Sequence, residues 1–234
     1  MTPVPPAFSV CVYCGSRSGV AESFEAAARD VGRWIGTHGG QLVYGGGQSG
    51  LMGVVADATL AAGGRVVGVI PHAMVEKEWA KRDCTELHIV DSMHERKAMM
   101  ALRADAFLSL PGGIGTFEEL FEVWTWRQLG YHDKPLGLLD VDGYYQPLLQ
   151  FLGSSVTHGF MSDWQMDLVR VDHDVSRLLP ALVQSAGLSA PIVGDDDRAQ
   201  PPEMAARKLL AVLDALPASA TGGFFDAEGQ VVPW

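Results

Sequence analysis

Cysteine is scarce in this sequence, and its shortage excludes some classes of protein. Cys11, Cys14 and Cys84 are an odd number in a chain without secretory features, so we do not expect a disulfide framework. Cys11 and Cys14 form a C-x-x-C pair, but no second Cys or His pair at zinc spacing accompanies them. Because Cys11 falls inside an apolar run, packing within a strand is favoured over redox or metal chemistry.

Basic residues and long apolar runs are also few. Lysine and arginine total 17 against 28 aspartates and glutamates, which gives a net charge of −11 and argues against a nucleic-acid surface. No apolar run reaches the roughly 18 residues that span a bilayer. Residues 1–8 are proline-rich and lack the charged start of a signal peptide. We therefore expect a cytoplasmic protein with neither nucleic acid nor membrane as partner.

Several common catalytic motifs are missing as well. The sequence has no G-x-x-x-x-G-K-[ST] loop for a triphosphate, and Gly45-Gly46-Gly47 is not the G-x-G-x-x-G of nicotinamide dehydrogenases. It has no G-x-S-x-G motif and no histidines at metal-ligand spacing. ATPase, dehydrogenase and metal-dependent chemistry are therefore disfavoured, and we expect no metal site.

What the sequence does contain is a glycine loop, residues 111–119, that follows the apolar run 106–110 and leads into an amphipathic run. This order predicts a strand, a loop and a helix that begins near Thr116. Glycines allow backbone N–H groups to approach a ligand, and a helix N-terminus favours an anion, most simply a phosphate. The alternative is a capping box formed by Thr116 and Glu119, which needs no ligand.

A second glycine cluster, residues 44–50, also follows an apolar strand and precedes a helix. Two such loops are hard to explain as turns. Apolar runs and helical patterns alternate to about residue 184, which predicts an α/β, Rossmann-like, mainly parallel sheet with helices on both faces. The loops would then share one sheet edge, where the small-residue loop at Ser16 and Arg17 also supplies candidate ligand contacts, unless it is an ordinary turn.

The predicted domain is residues 1–185, followed by an acidic, proline-containing extension over 186–234 with one helix near 204–216. A closing helix is predicted over 175–183, and Pro180 should kink it or end it at Leu179. No internal repeat is apparent.

The Arg96-Lys97 pair opens a predicted helix, although cations prefer the opposite helix end. Sequences often break a local preference at a functional site, but an exposed surface pair is the alternative. With a phosphate on the loop amides, a carboxylate at Glu78, Glu118 or Glu119 could address a ribose carbon that gains positive charge. Cleavage of a base from a sugar has such a transition state, which a carboxylate stabilises while it orients water.

Two motifs make the sequence resemble a known family. Residues 111–119 match P-G-G-x-G-T-x-x-E and residues 93–97 match M-H-x-R-K, while 44–53, 132–135 and 142–145 extend the match over roughly 8–160. The chain resembles the Lonely Guy family of cytokinin riboside 5′-monophosphate phosphoribohydrolases, often mislabelled as lysine decarboxylases. The resemblance implies a homodimer without a cofactor that hydrolyses nucleoside 5′-monophosphates, cytokinin nucleotides and also AMP, to free base and ribose 5-phosphate.

The resemblance also implies site residues. Arg96 and Glu119 would be catalytic. The remaining predicted substrate contacts lie in the motifs, in the glycine clusters, in the loop after the first strand or at positions carried over from the family: Ser16, Gly46, Gly47, Met52, Glu78, Met93, Lys97, Gly112, Gly113, Ile114, Gly115, Thr116, Phe117, Glu118 and Thr125. The alternative function is a nucleotide-binding regulator that does not turn its ligand over.

Overall fold

A computed structural model of the chain describes residues 5–75 and 80–188, in which strands and helices alternate. The strands are β1 (Ser9–Tyr13), β2 (Gln41–Tyr44), β3 (Arg65–Pro71), β4 (Glu86–Val90), β5 (Ala106–Ser109), β6 (Leu136–Leu139) and β7 (Val169–Asp172). The helices are α1 (Glu22–Thr37), α2 (Gly50–Ala61), α3 (His72–Val75), α4 (Met93–Arg103), α5 (Ile114–Gln128), α6 (Gln146–Thr157), α7 (Asp163–Met166) and α8 (Val175–Ser185), with a 3₁₀ turn at Val141–Gly143.

The seven strands form one parallel sheet in the order β4-β3-β2-β1-β5-β6-β7, which confirms the predicted fold class. The chain builds outward from β1 to β4 and then crosses back to place β5 on the other side of β1. This reversal makes a switch point between β1 and β5, where Tyr13 is in register with Ser109. Ligands of such sheets bind at the carboxyl ends of the strands beside the switch point.

Apolar residues cover both faces of the sheet, as expected when strands are buried between helix layers. Along β1, Val10 and Val12 belong to the cluster on one face, whereas Cys11 and Tyr13 belong to the other. Cys11 and Cys14 are buried free thiols, and burial raises the pKa of both. Strand packing therefore accounts for the C-x-x-C pair, and the described ranges contain no cluster of residues suited to a metal ion.

The start of α5 differs from the prediction. Gly113 is the N-cap and the helix begins at Ile114, so Thr116 lies inside the first turn and the capping-box interpretation is wrong. The physical reason is close packing of Thr116 onto the loop: a Cβ on Gly112 would lie 2.1 Å from Thr116 Oγ1. The helix therefore starts two residues earlier than the Thr-Glu pattern suggests.

The end of the sheet domain also corrects a prediction. Helix α8 runs through Pro180 to Ser185 and does not end at Leu179. Leu182 and Val183, beyond the proline, are almost fully buried, so packing outweighs the backbone hydrogen bond that proline removes.

Some predictions lie outside the described residues. These are Glu78, the helix near 204–216 and nearly all of the extension 186–234, so the domain boundary at 185 stays a prediction. Of the helices that are described, none has the length and apolar character needed to cross a membrane.

Candidate active site at the sheet's carboxyl edge

A cavity of about 830 Å³ opens at the switch point, between the loops that follow β1, β2 and β5. Both glycine clusters contribute to its wall, and Arg17 joins Ser16 on the first loop. Most of the predicted site residues line it: Ser16, Gly47, Met52, Met93, Arg96, Gly112, Gly113, Ile114, Gly115, Thr116, Glu118 and Glu119. The prediction that these loops meet at one sheet edge is confirmed.

Of the predicted substrate contacts that the structure describes, four do not line the cavity. Gly46 is buried with its carbonyl accepting from the Lys81 N–H at 2.8 Å, and Phe117 packs edge-on against Tyr145. Thr125 is exposed in the fourth turn of α5. Lys97 is buried and contacts the carboxylates of Glu118 and Glu122. Their roles as substrate contacts stay predictions.

The first turn of α5 forms one part of the cavity wall. Phe117 is the first residue of α5 whose N–H has a hydrogen-bond partner one turn back, since it donates to Gly113 O at 3.0 Å. The preceding N–H groups, those of Ile114, Gly115 and Thr116, have no such partner within a helix. That turn carries no acidic residue, and a Cβ built on Gly113 or Gly115 meets no described atom within 4 Å. The glycines therefore leave room for a ligand rather than for another part of the chain.

Arg96 is the second arginine that lines the cavity beside Arg17, and it comes from the first turns of α4. Ser92 caps α4 by accepting the Glu95 N–H at 3.1 Å. The Arg96 side chain is then fixed at two points: Nε donates to Val69 O at 3.1 Å and Nη1 donates to Glu119 Oε1 at 3.0 Å. Arg96 is buried, so the interpretation of residues 96 and 97 as an exposed surface pair is wrong.

Gly45 is what allows the guanidinium to sit there. A Cβ at this position would lie 1.8 Å from Arg96 Nη2 and 2.9 Å from the Met52 methyl group. The second glycine cluster therefore makes space for the arginine as well as for a ligand. Sequence reasoning assigned Gly45 no role of its own, although the cluster that contains it was identified.

Glu119 faces Arg96 from the second turn of α5 with a side chain that is only 11% exposed. Burial raises the pKa of this carboxyl above its ordinary value of 4.5, and the Arg96 guanidinium opposes part of that rise. The nearby Glu118 carboxylate adds to the rise. A carboxylate with a raised pKa is a better proton acceptor than an ordinary glutamate, and its ion pair fixes its orientation.

Lys97 forms a second set of ion pairs between the same two helices. Its Nζ donates to Glu118 Oε1 at 2.5 Å and to Glu122 Oε1 at 2.9 Å. Burial acts to lower the pKa of Lys97, but the two carboxylates raise it above its ordinary value. Glu118 and Glu119, which point in different directions from α5, are therefore held by different cations.

The cavity also contains residues that sequence reasoning missed. Tyr144 lines the wall beside Phe24, with which its ring makes an edge-to-face contact at 5.6 Å, and Met74 lies on the wall as well. Tyr144 belongs to residues 142–145, a segment that carried the family resemblance, so that segment was the available signal. Phe24 lies in a run whose helical spacing indicates only packing, whereas Met74 lies in the segment after β3, where the sequence shows no periodic pattern.

Comparison with known proteins identifies the family of this chain. The family described as possible lysine decarboxylase matches residues 52–182. Two cytokinin riboside 5′-monophosphate phosphoribohydrolases of Arabidopsis thaliana are similar: one is 48% identical over 160 residues, 68% of this chain and 74% of that protein. The other is 51% identical over 156 residues, 67% of this chain and 68% of that protein.

Among solved structures, the molybdenum cofactor carrier protein of Chlamydomonas reinhardtii superposes with a TM-score of 0.59 at 24% identity, over 79% of this chain and 99% of that one. This likeness concerns the fold alone. The sequence match shows the family as well, since it spans more than half of the chain and includes all of α5 and most of α2. The chain belongs to the Lonely Guy family, the group of phosphoribohydrolase-like proteins that the description possible lysine decarboxylase covers.

Proposed function

We propose that this protein hydrolyses the N-glycosidic bond of cytokinin riboside 5′-monophosphates and releases the free base and ribose 5-phosphate. One observation carries the proposal: the free amides at the start of α5 and the buried Glu119 carboxylate line the same cavity. They lie about five residues apart on one helix, or roughly 7 Å along its axis. A ribose 5-phosphate can reach from one to the other.

In this proposal the 5′-phosphate binds to the amides of 114–116, where the helix dipole favours an anion. The sugar then extends toward Glu119. As the bond from C1′ to the base nitrogen breaks, its electron pair leaves with the base and C1′ becomes positively charged. Glu119 stabilises that charge and accepts a proton from the attacking water, whose oxygen bonds to C1′, while the departing base takes up a proton from solvent.

Arg96 has two functions in this arrangement. Its bond to Glu119 favours the ionised form of the carboxylate and fixes its orientation, and its position in the cavity wall lets it hold the nucleotide. The bond to Val69 O fixes the guanidinium to the end of β3, so little side-chain freedom is lost when the substrate binds. No cofactor is needed for this chemistry.

The base would lie against an apolar part of the cavity. Met52, Ile70, Met74 and Met93 line it, and flexible methionines can accommodate either a bare adenine or an N6-prenylated one. We therefore include AMP as a second substrate in the proposal. The ratio of kcat/KM for isopentenyladenosine monophosphate to kcat/KM for AMP measures the preference.

The direct test is to incubate the protein with each nucleotide and to detect the released base by chromatography. Base and ribose 5-phosphate in equal amounts are the expected products. If neither nucleotide releases base, the proposal fails. Tight binding of a nucleotide that remains intact after long incubation would instead favour a nucleotide-binding regulator.

We further propose a homodimer that acts in the cytoplasm on small molecules and not on nucleic acid. Leu102 on α4 and Ile114 on α5 are 81% and 86% exposed, which gives these helices apolar surface for a second copy. The free thiols in the described ranges suit a reducing compartment. Light scattering of the purified protein, with a mass near 50 kDa expected for two chains of 25.1 kDa, tests the dimer.

A further inference from the structure

Two consecutive tyrosines bind the glycine loop at both sides of Pro111. The Tyr145 hydroxyl donates to Leu110 O at 2.6 Å, and the Tyr144 hydroxyl donates to Gly112 O at 2.5 Å. The two phenols come from the segment before α6, more than thirty residues along the chain. The proposed reaction assigns no role to either hydroxyl group.

The remaining carbonyls of the loop are also occupied. Pro111 O accepts the Gly15 N–H at 3.0 Å, and Gly113 O accepts the Phe117 N–H at 3.0 Å. All four carbonyls of residues 110–113 therefore accept a hydrogen bond. A carbonyl oxygen repels a phosphate, so a loop whose carbonyls are all engaged presents its N–H groups as the polar groups left for an anion.

The tyrosine pair is itself rigidly held. The Tyr145 N–H donates to the buried Asp140 carboxylate at 2.7 Å, and the Gln146 side chain donates to the other oxygen of the same carboxylate. Asp142 and Gly143 precede the pair with φ angles of 52° and 72°, a left-handed turn that aims both phenols at the loop. The rings of Tyr144 and Tyr145 meet edge-to-face at 5.1 Å.

The two tyrosines differ in their surroundings. Tyr145 is 1% exposed and lies within the core, whereas Tyr144 is 38% exposed and lines the cavity. Loss of the Tyr144 hydroxyl would free the carbonyl of Gly112, a residue that lines the cavity. Loss of the Tyr145 hydroxyl would leave a buried carbonyl without its donor and would cost stability.

We propose that Tyr144 and Tyr145 are positioning residues for phosphate recognition, which hold the carbonyls of Leu110 and Gly112 so that the loop offers only amide donors to a sugar phosphate. The inference rests on the proposed function for the identity of that ligand. It adds that selectivity for the phosphorylated substrate depends on residues outside the glycine motif.

The test compares Tyr144→Phe with the wild-type protein and uses ribose 5-phosphate as the probe in titration calorimetry. The substitution keeps the ring contacts with Phe24 and Tyr145 and removes only the hydroxyl. We expect affinity for ribose 5-phosphate to fall about five- to tenfold, the effect of one lost hydrogen bond. The matched control is Tyr131→Phe, since Tyr131 is 77% exposed and does not line the cavity.

Kinetics then separate positioning from a general structural effect. For Tyr144→Phe, KM for the nucleoside monophosphate should rise by the same factor, kcat should stay within about twofold, and kcat/KM for the riboside that lacks phosphate should not change. Tyr145→Phe should show the same pattern together with a lower Tm. The proposal is overturned if kcat/KM falls equally for the nucleotide and the riboside. It is also overturned if Tyr144→Phe binds ribose 5-phosphate as tightly as the wild-type protein does.

The same experiments distinguish this inference from the proposed function. If the wild-type protein binds ribose 5-phosphate but releases no base, the proposed hydrolysis fails and the affinities alone decide the role of the tyrosines. If the wild-type protein does not bind ribose 5-phosphate, the positioning role is wrong.

Discussion

Arg96 and Glu119 form a buried ion pair, with Nη1 donating to Oε1 at 3.0 Å, across the base of the cavity at the switch point of the sheet. The arginine comes from α4 and the glutamate from α5, so the pair ties together the two helices that border the site. Removal of either partner would leave the other charge buried, which typically costs several kcal/mol. The pair therefore stabilises the fold, and in the proposed reaction it also orients the carboxylate.

Glu119→Gln should nearly abolish turnover while the substrate still binds. The amide keeps the shape of the side chain and can accept from Arg96, but it cannot take a proton from water or stabilise a cation at C1′. We expect kcat to fall about 10²- to 10⁴-fold with little change in ribose 5-phosphate affinity. Base release measured by chromatography gives kcat.

The control for this substitution is Glu22→Gln, an exposed residue in the first turn of α1, which should retain full activity. A Glu119→Gln protein that remains fully active would show that the carboxylate does not participate in the reaction.

Arg96→Lys should lower both activity and stability, although it preserves the charge. Lysine lacks the planar fork that reaches Val69 O and Glu119 together, so one of the two buried acceptors loses its donor. We expect a loss of about 1–3 kcal/mol in the free energy of unfolding, measured with urea. Arg33→Lys, at an exposed position on α1, should change it by less than about 0.5 kcal/mol. Equal stability of the two variants would contradict the two-point attachment of Arg96.

Much of this site could be predicted from local patterns in the sequence. The glycine loops follow apolar strands, and parallel strands bring such loops to one edge, so the positions of Gly47 and of 112–116 around one cavity followed from the pattern alone. The unusual position of Arg96 in the first turn of α4 likewise indicated a role other than surface charge.

The remaining features depend on packing between distant segments and had no local signal. The tyrosine bonds to the loop join residues 32 and 35 positions apart, and the contact between Gly45 and Arg96 depends on how α4 lies against β2 and β3. Pro180 shows the converse. Proline normally kinks or ends a helix, but α8 continues through Pro180 because its tertiary packing is favourable. Local propensity predicts elements, but contacts across the sheet edge set the geometry of the site.

The pH profile of kcat/KM should have an acid limb whose apparent pKa lies above the ordinary pKa of a glutamate. Burial raises the pKa of Glu119, so kcat/KM should rise with pH through that raised pKa, because the ionised form is active. Stability depends on pH in the opposite sense. Because the pKa of Glu119 is raised in the folded state, this carboxyl adds stability below its unfolded-state pKa, and the contribution is lost as pH rises through its folded-state pKa. Activity therefore increases over the range in which this contribution disappears.

Glu118→Gln provides a directional test of that interpretation. The Glu118 carboxylate raises the pKa of Glu119, so its neutralisation should move the acid limb of kcat/KM to lower pH. Lys97 keeps Glu122 as a partner, which limits structural damage. Glu22→Gln should leave the limb in place, and a shift of the Glu118→Gln limb to higher pH would contradict the assignment of the limb to Glu119.

Gly45→Ala should damage activity more than stability. The added methyl group would lie 1.8 Å from Arg96 Nη2, so the guanidinium must move away from Val69 O or from Glu119, whereas the end of a flexible side chain can shift without unfolding the sheet. We expect kcat to fall at least tenfold, with Tm lowered by a few degrees.

Gly153→Ala is the matched control, because its Cβ would meet no described atom within 4 Å in the interior of α6. Alanine there should stabilise the helix by about 0.5–1 kcal/mol and leave kcat unchanged. Wild-type activity in Gly45→Ala would mean that catalysis does not require the observed position of Arg96, because the methyl group and the guanidinium cannot both occupy that space.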